Sequence, residues 1–244
     1  MPELAEIKLT ADYINKVSNS YLYIGVEKNS KHKCIDITIP SHSFTITAQS
    51  RGKELSLQCG NVSIKLTLGL TGYFTLVLTG KEPKHTQLFF YRSDGYTLCF
   101  VDVRRFGKWI HSDNWNIKRG PDPILQYQQF KNNIISNLHK AVFNKPIYVI
   151  LMDQQYFNGI GNYLRAEILY RLSNVNPFAS AKLAIKQEPL LLQYCCYIPK
   201  LVYMGGGSQN FYMLAYGNPK MLRIKDRNGR TFWYDPIWKG CEVI

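Results

Sequence analysis

The tetrapeptide Gly120-Pro121-Asp122-Pro123 separates two stretches of chain with different hydrophobic periods, so a single uniform layer cannot accommodate both. Its two prolines fix φ, remove two backbone donors and bias the residues before them away from helix, which makes a stiff turn. On the N-terminal side Ile35, Ile37 and Ile39 alternate with polar residues, as do Phe44, Ile46 and Ala48, then Val62, Ile64, Leu66 and Leu68. Such alternation predicts strands from about residue 21 to 111, with turns near Gly60-Asn61, Gly80 and Asp94-Gly95. On the C-terminal side the pattern predicts helices over residues 124–142, 147–155, 162–172 and 177–204. Leu4, Ile7, Ala11, Ile14 and Val17 recur at helical spacing, so a helix begins almost at the N-terminus. Residues 221–225 and 231–234 flank Asn228-Gly229, a strong hairpin signal. The fold class is therefore α+β with two domains: an N-terminal helix on an antiparallel β-sandwich (residues 1–112), a linker (113–123) and a helical domain (124–244) with a β-hairpin from about 215 onward.

Lys and Arg number 30 against 17 acids, a net charge of +13, which favours a polyanionic partner, nucleic acid before an anionic membrane. No run approaches the roughly 20 apolar residues of a membrane span, and no signal-peptide apolar region opens the chain. Cys34, Cys59, Cys99, Cys195, Cys196 and Cys241 form no C-x-x-C pair and do not cluster with the histidines. They read as reduced thiols of a soluble intracellular protein, mostly in the core, with no metal site and no cofactor. His32, His42, His85, His111 and His139 fit no triad or ligand spacing and are expected in surface or partly buried structural roles.

Removal of Met1 would give Pro2 a free secondary amine beside the Glu3 carboxylate. Such an amine attacks carbonyl-type carbon to give a charged iminium, and the positive end of the following helix disfavours its protonated form. Pro and Glu are equally ordinary first-turn residues, so both readings stand on these residues alone. Asn158-Gly159-Ile160-Gly161-Asn162 enters the helix predicted from 162 and admits two readings as well. It is either a phosphate-docking helix N-terminus or a tight interhelical turn with Asn162 as the cap. The last hairpin carries Lys225, Arg227 and Arg230, fit for phosphate or for solvent. Asp102-Val103-Arg104-Arg105-Phe106-Gly107 sets cations beside an aromatic wedge, and Lys53 follows Gly52 in a hairpin.

Taken in order along the chain, these elements resemble the formamidopyrimidine-DNA glycosylase/endonuclease VIII family. The similar segments are Pro2-Glu3 with Glu6, Arg51-Gly52-Lys53, Leu68-Gly69-Leu70-Thr71-Gly72, the 102–107 stretch, Gly120-Pro121-Asp122-Pro123, and Leu151-Met152-Asp153-Gln154 followed by Gly159-Ile160-Gly161-Asn162 and Glu167-Ile168-Leu169. The resemblance implies a helix-two-turn-helix domain and a bifunctional DNA glycosylase and abasic-site lyase of base excision repair. Pro2, Glu3 and Lys53 would be catalytic, Asn162 and Arg230 would grip phosphates, and Leu70, Arg104 and Phe106 would fill the void left by a flipped nucleotide. The partner would be damaged double- or single-stranded DNA, bound by a monomer.

Two departures from the family pattern bear on substrate and stability. The four cysteines of the family's zinc finger are absent, and Gly229-Arg230-Thr231-Phe232-Trp233-Tyr234 resembles the zincless finger of endonuclease VIII-like enzymes, with Phe232, Trp233 and Trp238 holding Arg230 by packing. The stretch between Gly205-Gly206-Gly207 and Tyr216-Gly217 is short for the loop that caps 8-oxoguanine, which points to oxidised pyrimidines and ring-opened or hydantoin purines. The rival reading is a non-catalytic module of the same fold that binds damaged DNA, with an RNA-binding role more distant.

Overall fold

The computed structural model describes residues 2–242. It divides into two compact units: Pro2 with Glu6–Asn116, and Glu3–Ala5 with the chain from Ile117 on.

In the first unit α1 (Leu4–Ser18) precedes eight strands: β1 (Tyr23–Lys28), β2 (Ile46–Arg51), β3 (Glu54–Cys59), β4 (Val62–Thr67), β5 (Tyr73–Leu78), β6 (Thr86–Arg92), β7 (Tyr96–Val101) and β8 (Lys108–His111). They form two four-stranded sheets, ordered β1-β6-β7-β5 and β2-β3-β4-β8, antiparallel throughout. Ile46, Ala48, Leu55, Leu57, Ile64 and Leu66 of one sheet and Phe74, Leu88, Phe90, Leu98 and Phe100 of the other are buried in one cluster, the sandwich core that the alternating pattern requires. Ile7, Ala11 and Ile14 of α1 join it. Two α1 side chains fix the helix: the Asn15 amide exchanges hydrogen bonds with the Ala48 backbone (2.9 and 2.7 Å), and the Tyr13 hydroxyl accepts from Leu76 N (2.9 Å).

The strand predicted around Ile35, Ile37 and Ile39 does not form. Ile37 is buried but Ile35 is 51% exposed, and the segment has no strand partner to repay ordering as a ladder. Side chains hold its carbonyls instead. The Trp109 indole donates to Ile35 O (2.9 Å) and the Lys28 ammonium to Cys34 O (3.0 Å). His32, expected nearer the surface, is buried and stacks on Trp109 at 4.2 Å.

The second unit contains α2 (Tyr127–Ile135), α3 (Ile147–Ile150), α4 (Asn162–Arg171), α5 (Ala181–Gln187), α6 (Leu191–Met204) and the hairpin β9 (Leu222–Lys225) with β10 (Thr231–Tyr234). Three predicted helices are shorter than their apolar periodicity suggested. The 124–142 stretch is α-helical only in α2, where Ser136 Oγ and Asn137 Nδ2 bond the carbonyls of Asn132 and Asn133 and compete with further winding, and a short 3-10 turn follows at Ala141–Asn144. The 147–155 stretch keeps one turn, α3, before a turn in which Gln155 N binds the Asp153 side chain. The 177–204 stretch breaks in two at Pro189, which has no backbone donor. Ser180 accepts from Leu183 N (3.3 Å) to start α5.

Replacing Trp109 with Phe keeps an aromatic ring at the site but removes the donor to Ile35 together with part of the buried indole. It is expected to cost about 1–3 kcal/mol and to speed amide exchange in residues 34–38 while β4 stays protected. Unchanged exchange there would show that the indole does not hold the segment.

Candidate functional site

In the first unit Leu70, Arg104 and Phe106 lie on two adjoining loops. A Cβ added at Gly69 would meet Gly107 N at 2.6 Å and the Phe106 carbonyl carbon at 2.7 Å, and Gly69 has φ 66, so the backbones touch where only glycine fits. Asp102 organises the second loop. Fully buried, its carboxylate accepts from Thr71 Oγ1 (2.6 Å), Gly107 N (2.7 Å) and Arg104 N (3.2 Å). The result presents Phe106, 50% exposed, with the Arg104 guanidinium 4.7 Å from its ring centroid. An exposed aromatic ring with a cation over it on a rigid loop is costly to leave in water and suited to a base stack. Asp102 belongs to a motif that sequence reasoning valued for its arginines and phenylalanine, and its organising role went unread. Lys53 occupies the two-residue turn between β2 and β3, half-buried. Pro2 is half-buried, and Met1, whose removal would free its amine, lies outside the described residues.

In the second unit Glu3 is 1% exposed. Its carboxylate accepts from Gly161 N (2.8 Å), Tyr163 N (3.1 Å) and Leu164 N (3.3 Å), donors at the start of α4 that a helix cannot satisfy from within. A Cβ at Gly161 would lie 2.2 Å from the Glu3 carboxyl carbon, so the absence of a side chain there makes room for the clamp. This corrects the phosphate-docking reading of the 158–162 turn: those amides already hold an anion of the chain itself, supported by the positive helix end. It also corrects the alternative, because Gly161 rather than Asn162 is the cap residue of α4.

Asn162 is the first residue of α4, and its Nδ2 donates to Thr231 O of β10 (2.9 Å). Its Oδ1 accepts from Arg165 Nη2 (2.6 Å). Sequence reasoning missed Arg165. Its side chain is fully buried and pairs with Asp226 at 3.0 Å, donating also to Tyr148 O (3.2 Å). Burial lowers the guanidinium pKa, and Asp226 opposes that shift. The signal was partial: Leu164, Ala166, Ile168 and Leu169 surround Arg165 in sequence, and an Arg among apolar helix residues needs a partner once buried. Asp226 in turn accepts from Asn228 N (2.9 Å) and Arg230 N (3.0 Å) at the hairpin tip, where the Arg230 side chain is exposed.

Aromatic packing supports the hairpin. Phe232, fully buried, stacks on Tyr148 (4.8 Å), Tyr234 meets Phe178 edge-on (5.0 Å), and Trp233 packs on Tyr216 (4.4 Å). Glu167, also fully buried, gathers the loop after α6: it accepts from Leu214, Ala215 and Tyr216 N at 3.0, 2.9 and 2.8 Å and pairs with Arg171. No group of three or more His, Cys, Asp or Glu among the described residues is placed to hold a metal ion.

The model of the formamidopyrimidine-DNA glycosylase N-terminal domain matches residues 1–109. Endonuclease 8-like 1 of Homo sapiens is 35% identical to this chain over an alignment 282 positions long, covering 96% of the chain and 72% of that protein. The chain belongs to the formamidopyrimidine-DNA glycosylase/endonuclease VIII family. Formamidopyrimidine-DNA glycosylase of Prochlorococcus marinus is 29% identical over an alignment 252 positions long, covering 86% of this chain and 82% of its own. The two-domain α+β fold of the family is shared with solved relatives. The Lactococcus lactis formamidopyrimidine-DNA glycosylase bound to DNA with an AP site superimposes at TM-score 0.84 with 23% identity, covering 98% of this chain and 99% of that one. The Thermus thermophilus protein gives 0.81 at 21% identity, covering 98% and 99%.

For a family member the Gly69 contact has a measurable consequence. Gly69→Ala is expected to destabilise the first unit by about 1–3 kcal/mol and to weaken DNA binding. Gly95→Ala, where φ is 86 but nothing lies within 4 Å of the added Cβ, separates the contact from backbone strain. Equal losses in the two variants, read by thermal denaturation, would show that the loop contact has no weight of its own.

Proposed function

We propose that this chain is a bifunctional DNA glycosylase and abasic-site lyase of base excision repair, acting inside the cell as a monomer on damaged DNA. The observation that carries the reading is Pro2-Glu3 in a chain of this family, with the Glu3 carboxylate anchored on the α4 N-terminus. Once Met1 is removed, the Pro2 nitrogen attacks C1′ of the damaged nucleotide and the glycosidic bond breaks. The departing base takes a proton, and opening of the sugar ring leaves an iminium between Pro2 and C1′. Glu3 takes up a proton from solvent and passes it as acid to the sugar oxygen or leaving group, and the anion so restored, held by the α4 amides, offsets the iminium charge. The iminium acidifies the C2′ proton, whose loss expels the 3′ phosphate. A second elimination then expels the 5′ phosphate, and hydrolysis returns the Pro2 amine. Lys53 supports these transfers near the lesion phosphate.

Asn162 and Arg230 grip the DNA backbone, while Leu70, Arg104 and Phe106 fill the space vacated by the flipped nucleotide. The exposure of Phe106 and Arg230 supports these roles. For substrate we infer oxidised pyrimidines and ring-opened or hydantoin purines. The short 205–217 loop, drawn in by Glu167, supports a site without a long lesion cap. The L. lactis relative has been solved with DNA containing an oxidised pyrimidine.

Borohydride trapping tests the reading. Protein of confirmed Pro2 start is expected to form a reduced covalent adduct with abasic and thymine-glycol duplexes, faster than with 8-oxoguanine opposite cytosine. An N-terminal extension should abolish it. No adduct with abasic DNA would favour the non-catalytic damaged-DNA binder, and 8-oxoguanine as the best substrate would overturn the lesion preference.

A further inference from the structure

A buried arginine that also hydrogen-bonds an amide side chain and a backbone carbonyl is expensive to place in a core. Arg165 is one, with its side chain fully buried and a partner carboxylate only 6% exposed. Breaking such a pair from one side leaves an uncompensated charge in the core, so its geometry is tightly held. Its donors reach three different parts of the second unit: Asn162 Oδ1 at the start of α4, Tyr148 O in α3, and Asp226 at the hairpin tip. The chemistry also fixes which way Asn162 points. Arg165 can only donate and the Thr231 carbonyl can only accept, so the Asn162 oxygen faces Arg165 and its NH2 faces the hairpin.

Asp226 divides its carboxylate between two tasks. Oδ2 pairs with Arg165, while Oδ1 accepts the backbone N–H groups of Asn228 and Arg230. A further bond from Asp226 N to Arg230 O (2.9 Å) closes the turn. An unbroken path of short contacts therefore runs from the Asn162 amide through Arg165 and Asp226 to the backbone of Arg230. The Arg165 guanidinium also lies 5.3 Å from the ring centroid of Phe232, the fully buried anchor of β10. In a hairpin whose tip is otherwise exposed, this pair is a buried polar link alongside the Asn162–Thr231 bond.

We propose that Arg165 and Asp226 are a positioning pair that locks the exposed Arg230 to Asn162, so that the two phosphate-binding groups act as one rigid grip. The proposal rests on the reading above that Arg230 contacts phosphate. Neither member of the pair touches DNA; both act through the residues they hold. Rigid placement matters because a displacement of about 1 Å in a positioning contact can cost about a hundredfold.

The test uses a duplex with one tetrahydrofuran abasic-site analogue and measures its dissociation constant across a salt series for Arg165→Lys, Arg230→Ala and the double variant. Lysine keeps the charge but cannot reach three acceptors at once. Arg165→Lys and Arg230→Ala are each expected to weaken binding by tenfold or more at low salt and to flatten the salt slope by about one unit, the share of one phosphate contact. The double variant is expected to flatten it no further. Asp226→Asn keeps an oxygen for Asn228 and Arg230 but removes the ion pair. It is expected to reproduce the Arg165→Lys result and decides the question alone should that variant not fold. A wild-type slope in Arg165→Lys or Asp226→Asn, or flattening by about two units in the double variant, would overturn the proposal while leaving the phosphate reading intact. An unchanged slope in Arg230→Ala would instead overturn the phosphate reading, and the proposal with it.

Discussion

The carboxylate of Glu3 at the N-terminus of α4 is the contact on which the rest of the site depends. Three backbone donors converge on it, and Gly161 leaves it the room. A helix start otherwise leaves such donors to water, a ligand or a capping side chain. Here the cap arrives from 158 residues away in sequence, fixing the chain one peptide bond from Pro2. A terminal residue is ordinarily the least ordered part of a domain. A nucleophile at such a position is useful only if something nearby denies it that freedom.

The same device recurs in both units. Asp102 collects Thr71, Arg104 and Gly107 to shape the loop that presents Phe106. Glu167 collects Leu214, Ala215 and Tyr216, and Asp226 collects Asn228 and Arg230. In a chain with 17 acids against 30 basic residues, these carboxylates hold loops from inside, and the exposed Arg230 and Arg104 keep their charge facing outward. Charge-assisted bonds to backbone N–H groups are stronger than neutral ones, which suits them to irregular segments without a ladder of their own. The positive charge needed for a polyanion and the rigidity needed for chemistry thus come from opposite ends of the charge inventory.

Much of this was legible in the sequence where the signal is local. The period of α1, the alternation of β2 and β4, the hairpin around Asn228-Gly229 and the ordered set of short motifs all depend on neighbours a few residues apart. What was not legible depends on contacts distant in sequence. Ile35, Ile37 and Ile39 alternate as a strand does, but pairing requires a partner, and side chains hold the segment instead. The periodicity across 177–204 passed over a break at Pro189, because apolar residues flank the break on both sides. The donors from Gly161 on admit either a phosphate or a local cap in the sequence, because nothing within the motif announces that Glu3 fills them. Arg165 falls between the Gly159–Asn162 and Glu167–Leu169 segments of the motif, though a charge among Tyr163, Leu164, Ala166 and Ile168 is itself a sign of a buried partner.

The most direct test of the Glu3 clamp is Gly161→Ala. Its new methyl would fall 2.2 Å from the Glu3 carboxyl carbon, and a flexible side chain can yield where backbone cannot. The φ of Gly161 is −129, so alanine brings no backbone strain. The variant leaves Pro2, Glu3 and Lys53 chemically intact and is expected to fold. Its borohydride trapping on abasic DNA, followed as a single-turnover rate at saturating DNA, is expected to fall by at least about tenfold. A wild-type trapping rate in folded Gly161→Ala would contradict the proposed dependence of the Pro2 amine on the clamp.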